Sequence, residues 1–443
     1  MREKNCYPII HFAPEYGWLN DPNGLVWHDG IFELYYQSNP NGLEWWDMTW
    51  SHARSTDLMH WEQKEPVMYP DENGTMFSGC GLRNDRGLMD LPKDALLFPY
   101  TVCPIGPKYE RDTTNTIRMA YSTDGGDTFV KKDGILLDTP AAFARDPKVF
   151  WHEESHAYIL VLWIEDADFG IWRSTDLEWF TFSSRVTLEG GFECPDLNCL
   201  KVYDENGEPT GESKWVFWAA DGSYYLGEFD GYTFTQTQPR MHAYALNLSL
   251  PYAAQTWSGV PDGRVISVAW LRSLTVAHQY TGMMSLPREL SLVKKGPRYF
   301  LRQKTAEEIL SAARAVPLVK GSSDDECKAV LECDAAVRIR CSADKDFSME
   351  ILGEDQECMI SFEYDHEKAI LAVTLQEVTE LVRLGFRGDV SDLDLIYDRG
   401  ILELSANNDT SLAVIDRPSL RSRVAAAVKV CGKPDCFEVS TIC

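Results

Sequence analysis

Ser55-Thr56-Asp57-Leu58-Met59-His60-Trp61 is a short polar turn that closes on an aromatic ring, and the chain writes it again three times. It returns as Ser122-Thr123-Asp124-Gly125-Gly126-Asp127-Thr128-Phe129, as Ser174-Thr175-Asp176-Leu177-Glu178-Trp179-Phe180, and more faintly as Phe229-Asp230-Gly231-Tyr232-Thr233-Phe234. Ser and Asp side chains bond nearby backbone N–H groups and so favour turns. Each copy is expected to open an apolar strand at its aromatic residue. The copies are spaced by 67 residues (55 to 122), 52 (122 to 174) and about 54 (176 to 230), which suits one four-stranded propeller blade per repeat. Residues 30–37 alternate Ile31, Glu33 and Tyr35 against Phe32, Leu34 and Tyr36, and residues 148–151, 157–163, 214–220 and 264–271 are short β-rich runs bounded by turn residues. Long amphipathic helices are absent from this part, and about 300 residues at this spacing make five blades.

The texture changes near Gln303. Residues 305–314 read as a helix, with Ala306, Ile309, Leu310 and Ala313 on one face behind a Thr305 cap. Strand-like runs then resume at 335–340, 347–351, 369–373, 393–397 and 401–405. The expected fold class is all-β: a five-bladed β-propeller over residues 1–302, a linker helix over 303–315, and a β-sandwich over 316–443. The sandwich carries no catalytic constellation and is assigned an accessory role.

Bulk composition narrows the function. A formal net charge of −26 opposes a nucleic-acid surface, which needs clustered Lys and Arg. No apolar run is long enough to span a bilayer, and Met1-Arg2-Glu3-Lys4-Asn5-Cys6 does not read as a leader, so a cytoplasmic location is expected. The 12 cysteines are scattered, and Cys431 and Cys436 stand without a second ligand pair, so reduced thiols and no metal are expected. No Walker, dinucleotide or HExxH motif appears, and no cofactor is expected. The expected partner is a small carbohydrate, with further copies of the same chain as the one macromolecular partner left open.

Three carboxylates sit in unusual settings. Asp21 lies in Trp18-Leu19-Asn20-Asp21-Pro22-Asn23-Gly24, on a rigid turn between an aromatic ring and two amides. Such a grouping suits sugar chemistry, because a ring face packs on the apolar face of a sugar and Asn reads hydroxyls. Asp146 follows Arg145 and precedes Pro147 in Phe143-Ala144-Arg145-Asp146-Pro147-Lys148. Glu193 lies in Phe192-Glu193-Cys194-Pro195-Asp196-Leu197, where apolar neighbours would raise its pKa as a general acid requires. The innermost strand of each propeller blade points at the central channel, so residues distant in sequence can meet there. Glycoside hydrolysis needs two of the three, one as acid and one as nucleophile or base.

WLNDPNG, RDP and ECPDL, in this order, resemble the signature segments of glycoside hydrolase family 32, the invertases, levanases and inulinases. Leu34-Tyr35-Tyr36-Gln37-Ser38-Asn39-Pro40, Phe77-Ser78-Gly79, Tyr252-Ala253-Ala254-Gln255, Met284-Ser285-Leu286-Pro287-Arg288-Glu289-Leu290 and Asp398-Arg399-Gly400-Ile401-Leu402-Glu403-Leu404 are similar as well. The resemblance spans nearly the whole chain. It implies a five-bladed propeller with a β-sandwich, and retaining hydrolysis of terminal β-fructofuranosyl units. It further implies Asp21 as nucleophile, Glu193 as acid/base, and Asp146 as the group that holds the fructosyl hydroxyls. Asn20, Gln37, Trp45, Phe77, Ser78, Arg145 and Trp270 are implied to line the fructose subsite; Trp45, beside Trp46 and Trp50, also reads as core.

Two departures, Cys80 after Phe77-Ser78-Gly79 and Asn198 after Leu197, are expected to bear on the pocket rim. Residues 69–77 look closer to fructan hydrolases than to enzymes of sucrose 6-phosphate. A phosphorylated substrate ranks second, because the basic residues near the motifs that could serve it are few (Arg54, Lys148). Fructosyl transfer and a non-catalytic lectin are the remaining alternatives.

Overall fold

The computed structural model describes residues 6–105, 114–246, 250–320, 326–342, 344–384, 392–432, 434 and 436–443; the opening five residues of the leader reading lie outside them. Strands account for nearly all regular structure. The first blade is Gly17–His28, Ile31–Asn39, Thr49–Ser55 and Glu62–Met68, paired in that order. The second is built on Thr75–Gly79, Leu96–Cys103 and Thr116–Ser122, and the third on Arg145–His152, Ala157–Glu165, Asp168–Ser174 and Thr181–Thr187. The fourth holds Asp196–Tyr203, Pro209–Trp218, Ser223–Phe229 and Phe234–Gln236, and the fifth Pro251–Thr256, Ile266–Leu271, Arg288–Lys295 and Arg298–Thr305. The last two blades are joined by a parallel pairing of Val202 with Leu292 and Tyr203 with Val293. The ring closes where Gly17 and Trp18 pair parallel with Tyr280 and Thr281.

The repeated turn has one structural job. In each of the first four blades it follows the third strand. Ser55 Oγ accepts from Leu58 N (2.8 Å) and Asp57 Oδ1 from His60 N (2.8 Å). Ser174 Oγ accepts from Leu177 N (2.9 Å) and Asp176 Oδ1 from Trp179 N (2.9 Å). Asp230 Oδ1 takes the amides of Tyr232 and Thr233, both at 2.8 Å. The strand that follows is not apolar as the sequence suggested. Glu62–Met68 and Thr181–Thr187 are polar and largely solvent-facing, because they are the outer edges of their blades. Polar edge strands resist pairing with other chains.

The helix expected over 305–314 is shorter. Thr305 ends a strand, the helix runs Glu307–Ser311, and Ala306 occupies its N-cap without a side-chain bond. Thr305 Oγ1 instead accepts from Arg288 Nη1 at 2.9 Å. The strand runs read from the last part of the sequence fall on strands of two antiparallel sheets, of six and seven strands, that enclose Ile339, Met349, Phe362, Val373, Leu395, Leu404 and Val428.

This sandwich shares a core with the propeller, where Ile10, Phe12, Leu286, Ile309, Ile396 and Ile442 pack together. A charged cluster sealed from solvent lies beside it. Asp398 accepts from the amides of Ile9, Ile10 and His11 (2.7, 3.0 and 3.1 Å) and meets His11 Nδ1 at 2.8 Å. Glu403 meets His11 Nε2 at 3.2 Å, accepts from Leu286 N at 2.9 Å, and pairs with Arg288. Burial works against the His11 cation, but the hydrogen bonds and charges of Asp398 and Glu403 hold its pKa above the ordinary value.

Candidate active site

The innermost strands lose their regular ladder at the mouth of the axis. Register breaks fall between Leu19 and Pro22, Met76 and Gly79, Arg145 and Lys148, and Tyr252 and Gln255. Bulges re-aim side chains in this way next to active sites. Asp146 (φ 64), Glu193 (φ 54), Cys194 (φ 40) and Ala253 (φ 51) all lie in the left-handed region that non-glycine residues avoid.

The rim surrounds a cavity of about 930 Å³ lined by Asn20, Asp21, Gln37, Trp45, Phe77, Arg145, Asp146, Glu193 and Trp270. Ser78, the remaining predicted residue, is buried and lies directly behind Asp21. Its hydroxyl donates to Asp21 Oδ2 at 2.6 Å, and Asn20 Nδ2 donates to Oδ1 at 3.2 Å. Asn20 is oriented in turn by Trp18 Nε1 (2.8 Å) and by Gln37 Oε1 (3.0 Å). Burial raises the pKa of Asp21 and the charge of Glu193 adds to this, against the Ser78 and Asn20 hydrogen bonds.

Asp146 Oδ2 accepts from the amide of Cys194 at 3.1 Å, and the Cys194 thiol stands 3.5 Å from that oxygen and 3.7 Å from Asp21 Oδ2. This one side chain therefore bridges two of the carboxylates. Burial pushes the Asp146 carboxyl up to about 7; Arg145 opposes the rise, and the charges of Glu193 and Asp21 reinforce it. An acid with a higher pKa folded than unfolded stabilises the fold while it stays protonated. That contribution is present below the ordinary 3.8 and is lost as the pH rises through about 7. Asp146→Asn should therefore raise the apparent melting temperature at pH 8 by several degrees and change it little at pH 4. Equal effects at the two pH values would sink this reading.

Glu193 differs from its sequence setting. Phe192 turns outward against Trp163 (ring centroids 4.9 Å), and the carboxylate meets polar partners instead of apolar ones. Tyr252 Oη donates to Oε2 at 2.6 Å, and the Arg145 guanidinium pairs with Oε1. Arg145 itself lies 4.3 Å over the Trp163 ring. Burial and Glu193 raise the pKa of Tyr252, keeping the phenol a neutral donor.

Trp45 lines the cavity at 37% exposure with its ring edge-on to Phe77, so it is wall and not core. Trp270 stands edge-on to Trp18 and Tyr252, backed by Gly282 (φ 79), where a Cβ would come within 2.8 Å of the indole nitrogen. Two expectations are corrected. Cys80 is buried with its sulfur 3.1 Å from Val149 N, and Asn198 bonds Asp196, so neither shapes the rim. Lys148 is buried against Asp196 and Thr256, and Arg54 pairs with Glu33 and Asp127. Arg272 also lines the cavity, stacked 3.6 Å over the Tyr252 ring; unlike Arg145 it has no carboxylate partner among the described residues. Sequence reasoning missed Tyr252 and Arg272. The Tyr252-Ala253-Ala254-Gln255 segment and the two-residue offset from Trp270 were the signals available. Among the described residues, no cluster of His, Cys, Asp or Glu could hold a metal, and no helix is long and apolar enough to cross a membrane.

Three carboxylates meet at one cavity of a five-bladed propeller, with ring walls and amide donors around them, and paired carboxylates are the groups that glycoside hydrolysis uses. The description "Glycosyl hydrolases family 32 N-terminal domain" matches residues 11–304. The chain belongs to that family. It is 34% identical over 318 residues to a levanase of Bacillus subtilis, an alignment covering 66% of this chain and 45% of the levanase. Against an invertase of Debaryomyces hansenii it is 34% identical over 315 residues, covering 64% of this chain and 56% of the invertase. The alignments thus span about half the length of these relatives. The crystal structure of an exo-inulinase from Aspergillus awamori superposes with a TM-score of 0.83 over 100% of this chain and 99% of that one; at 22% identity this likeness speaks for the fold alone.

Proposed function

We propose that the chain is a retaining β-fructofuranosidase that releases terminal fructosyl units from sucrose or fructans. The observation that carries this is the meeting of Asp21, Asp146 and Glu193 on one cavity from three different blades. Asp21, aimed by Ser78 and Asn20, attacks the anomeric carbon and forms a covalent fructosyl ester. Glu193 gives its proton to the leaving oxygen and then takes one from the incoming water. Asp146 accepts hydrogen bonds from fructosyl hydroxyls as positive charge builds on the ring. Asp21 and Glu193 are expected about 5–5.5 Å apart, the separation that leaves no room for water between nucleophile and acid. Asn20, Gln37, Trp45, Phe77, Arg145 and Trp270 form the fructose wall. The scattered cysteines support a reducing, cytoplasmic compartment.

A second reading rests on Arg272. An exposed guanidinium stacked on a ring beside the site is suited to a phosphate on the leaving group. Chromatography of products from sucrose, 1-kestose, inulin, levan and sucrose 6-phosphate decides between the two. Fructose from any of the first four carries the main reading. Cleavage of the phosphorylated sugar alone, lost in Arg272→Ala, carries the second. Inert behaviour on all five would make the chain a sugar-binding protein.

A further inference from the structure

The Ser174–Trp179 turn offers an internal comparison. In the first blade the equivalent turn ends on Trp61, which stacks on Trp257 (6.3 Å, 22°) and packs against Phe12. In the third blade the same turn, held by the same hydrogen bonds, ends on Trp179, which is 78% exposed. Turn geometry therefore does not require a bare ring. Phe182 and Tyr232, 53% and 54% exposed, flank the same groove of about 560 Å³.

Two of the three rings are held in place. Phe182 stands edge-on to the buried Trp172 at 5.3 Å, and the Arg173 guanidinium lies 3.7 Å over Tyr232. The Tyr232 carbonyl accepts from Ser183 and Ser184 hydroxyls at 2.8 and 2.7 Å, tying the fourth blade's turn to the third blade's edge. The groove's charges are occupied. Arg173 donates to Ser155 and Gly231, and Asp176 accepts the amides of Glu178 and Trp179. What remains is three aromatic faces over hydroxyls, including those of Thr181 and Ser183. Such a surface matches a ligand with apolar C–H faces, many hydroxyls and no charge. A second copy of the chain is a poor occupant, since each copy carries −26.

We propose that this groove is a second carbohydrate-binding site, taking a neutral polysaccharide, and on the functional reading above a β-fructan. Its position gives it a role apart from catalysis. Arg145 at the cavity opens an eight-residue strand whose far end, His152, pairs with Ala157 at the groove. Such a strand spans roughly 25 Å. The groove holds the polymer at the opposite end of the blade from the reacting carboxylates, and so anchors the enzyme to it.

Native electrophoresis through gels containing levan, inulin or dextran tests this, with Asp21→Asn as parent so that no polymer is consumed. The parent should be retarded by a fructan. Adding Trp179→Ala or Tyr232→Ala should weaken retardation at least fivefold, and Trp179→Tyr should retain most of it. In the active enzyme, Trp179→Ala should leave kcat/KM on sucrose unchanged and lower it on long-chain levan. A parent that runs freely in every gel, or retardation indifferent to both ring substitutions, overturns the proposal. A dimer in sedimentation that Trp179→Ala dissociates, without retardation, overturns it in favour of self-association. Retardation by dextran alone that depends on Trp179 keeps a polysaccharide site and overturns the fructan assignment. Failure of the functional reading shows separately, as absence of fructose release from every fructoside.

Discussion

Asp21→Asn leaves a folded protein whose turnover falls by roughly 10⁴–10⁶-fold, the range seen when a covalent nucleophile is removed from a hydrolase. The substitution keeps the shape of the side chain and its acceptor for Ser78 or Asn20, so the bulge between Leu19 and Pro22 has no reason to collapse. What goes is the negative oxygen that forms the ester. A second consequence separates this from general damage. The Asp21 charge is one of the influences that lift Asp146 to about 7, so Asp146 should titrate lower in the variant, as carbon-detected NMR of the labelled carboxyl would read. Trapping with methanol adds a stereochemical check: the active enzyme should yield the methyl β-fructofuranoside. Substantial residual turnover by Asp21→Asn, or the α-anomer as trapped product, would remove Asp21 from the nucleophile's role.

Glu193→Gln should lower turnover of sucrose by about 10²–10⁴-fold, the usual contribution of a positioned acid and base. The loss should depend on the leaving group. A fructosyl fluoride departs without a proton, so its first step should survive the substitution, and the ester should then accumulate because no base activates water. Azide, which needs no such base, should restore the second step and give a fructosyl azide. Equal loss on sucrose and on the fluoride, with no azide effect, would reduce Glu193 to an anchor for Arg145 and Tyr252.

The blade count and the three carboxylates were legible because both are written locally. A Ser-x-Asp turn bonds its own next few amides, so it must be repeated in sequence wherever it is repeated in space. Asp21 and Asp146 sit at register breaks inside strands and Glu193 in a bend just before one, each within a short motif of its own neighbours. Contacts made across blades were not legible. Arg145 reaches Glu193 over 48 residues and Tyr252 reaches it over 59, so the environment read from Phe192 and Cys194 was the wrong one. The same limit hid the partners of Arg54, Lys148, Cys80 and Asn198, which lie on other strands. The outer strands were misread because an aromatic residue before a strand says nothing of which edge that strand occupies. Thr305 looked like a cap until Arg288, brought back by the preceding strand, claimed its hydroxyl.

The cluster of His11, Arg288, Asp398 and Glu403 bears on how such a protein can change over generations. Removing one member of a buried charge pair typically costs about 3–5 kcal/mol. A sugar-binding module on a flexible tether can be lost, duplicated or exchanged between genes with little consequence for its neighbour. This sandwich cannot be traded so freely, because its two carboxylates complete the solvation of groups belonging to the other half. A foreign sandwich would fit only if it arrived with acids at both points. Descent should therefore carry the two halves as a single heritable piece.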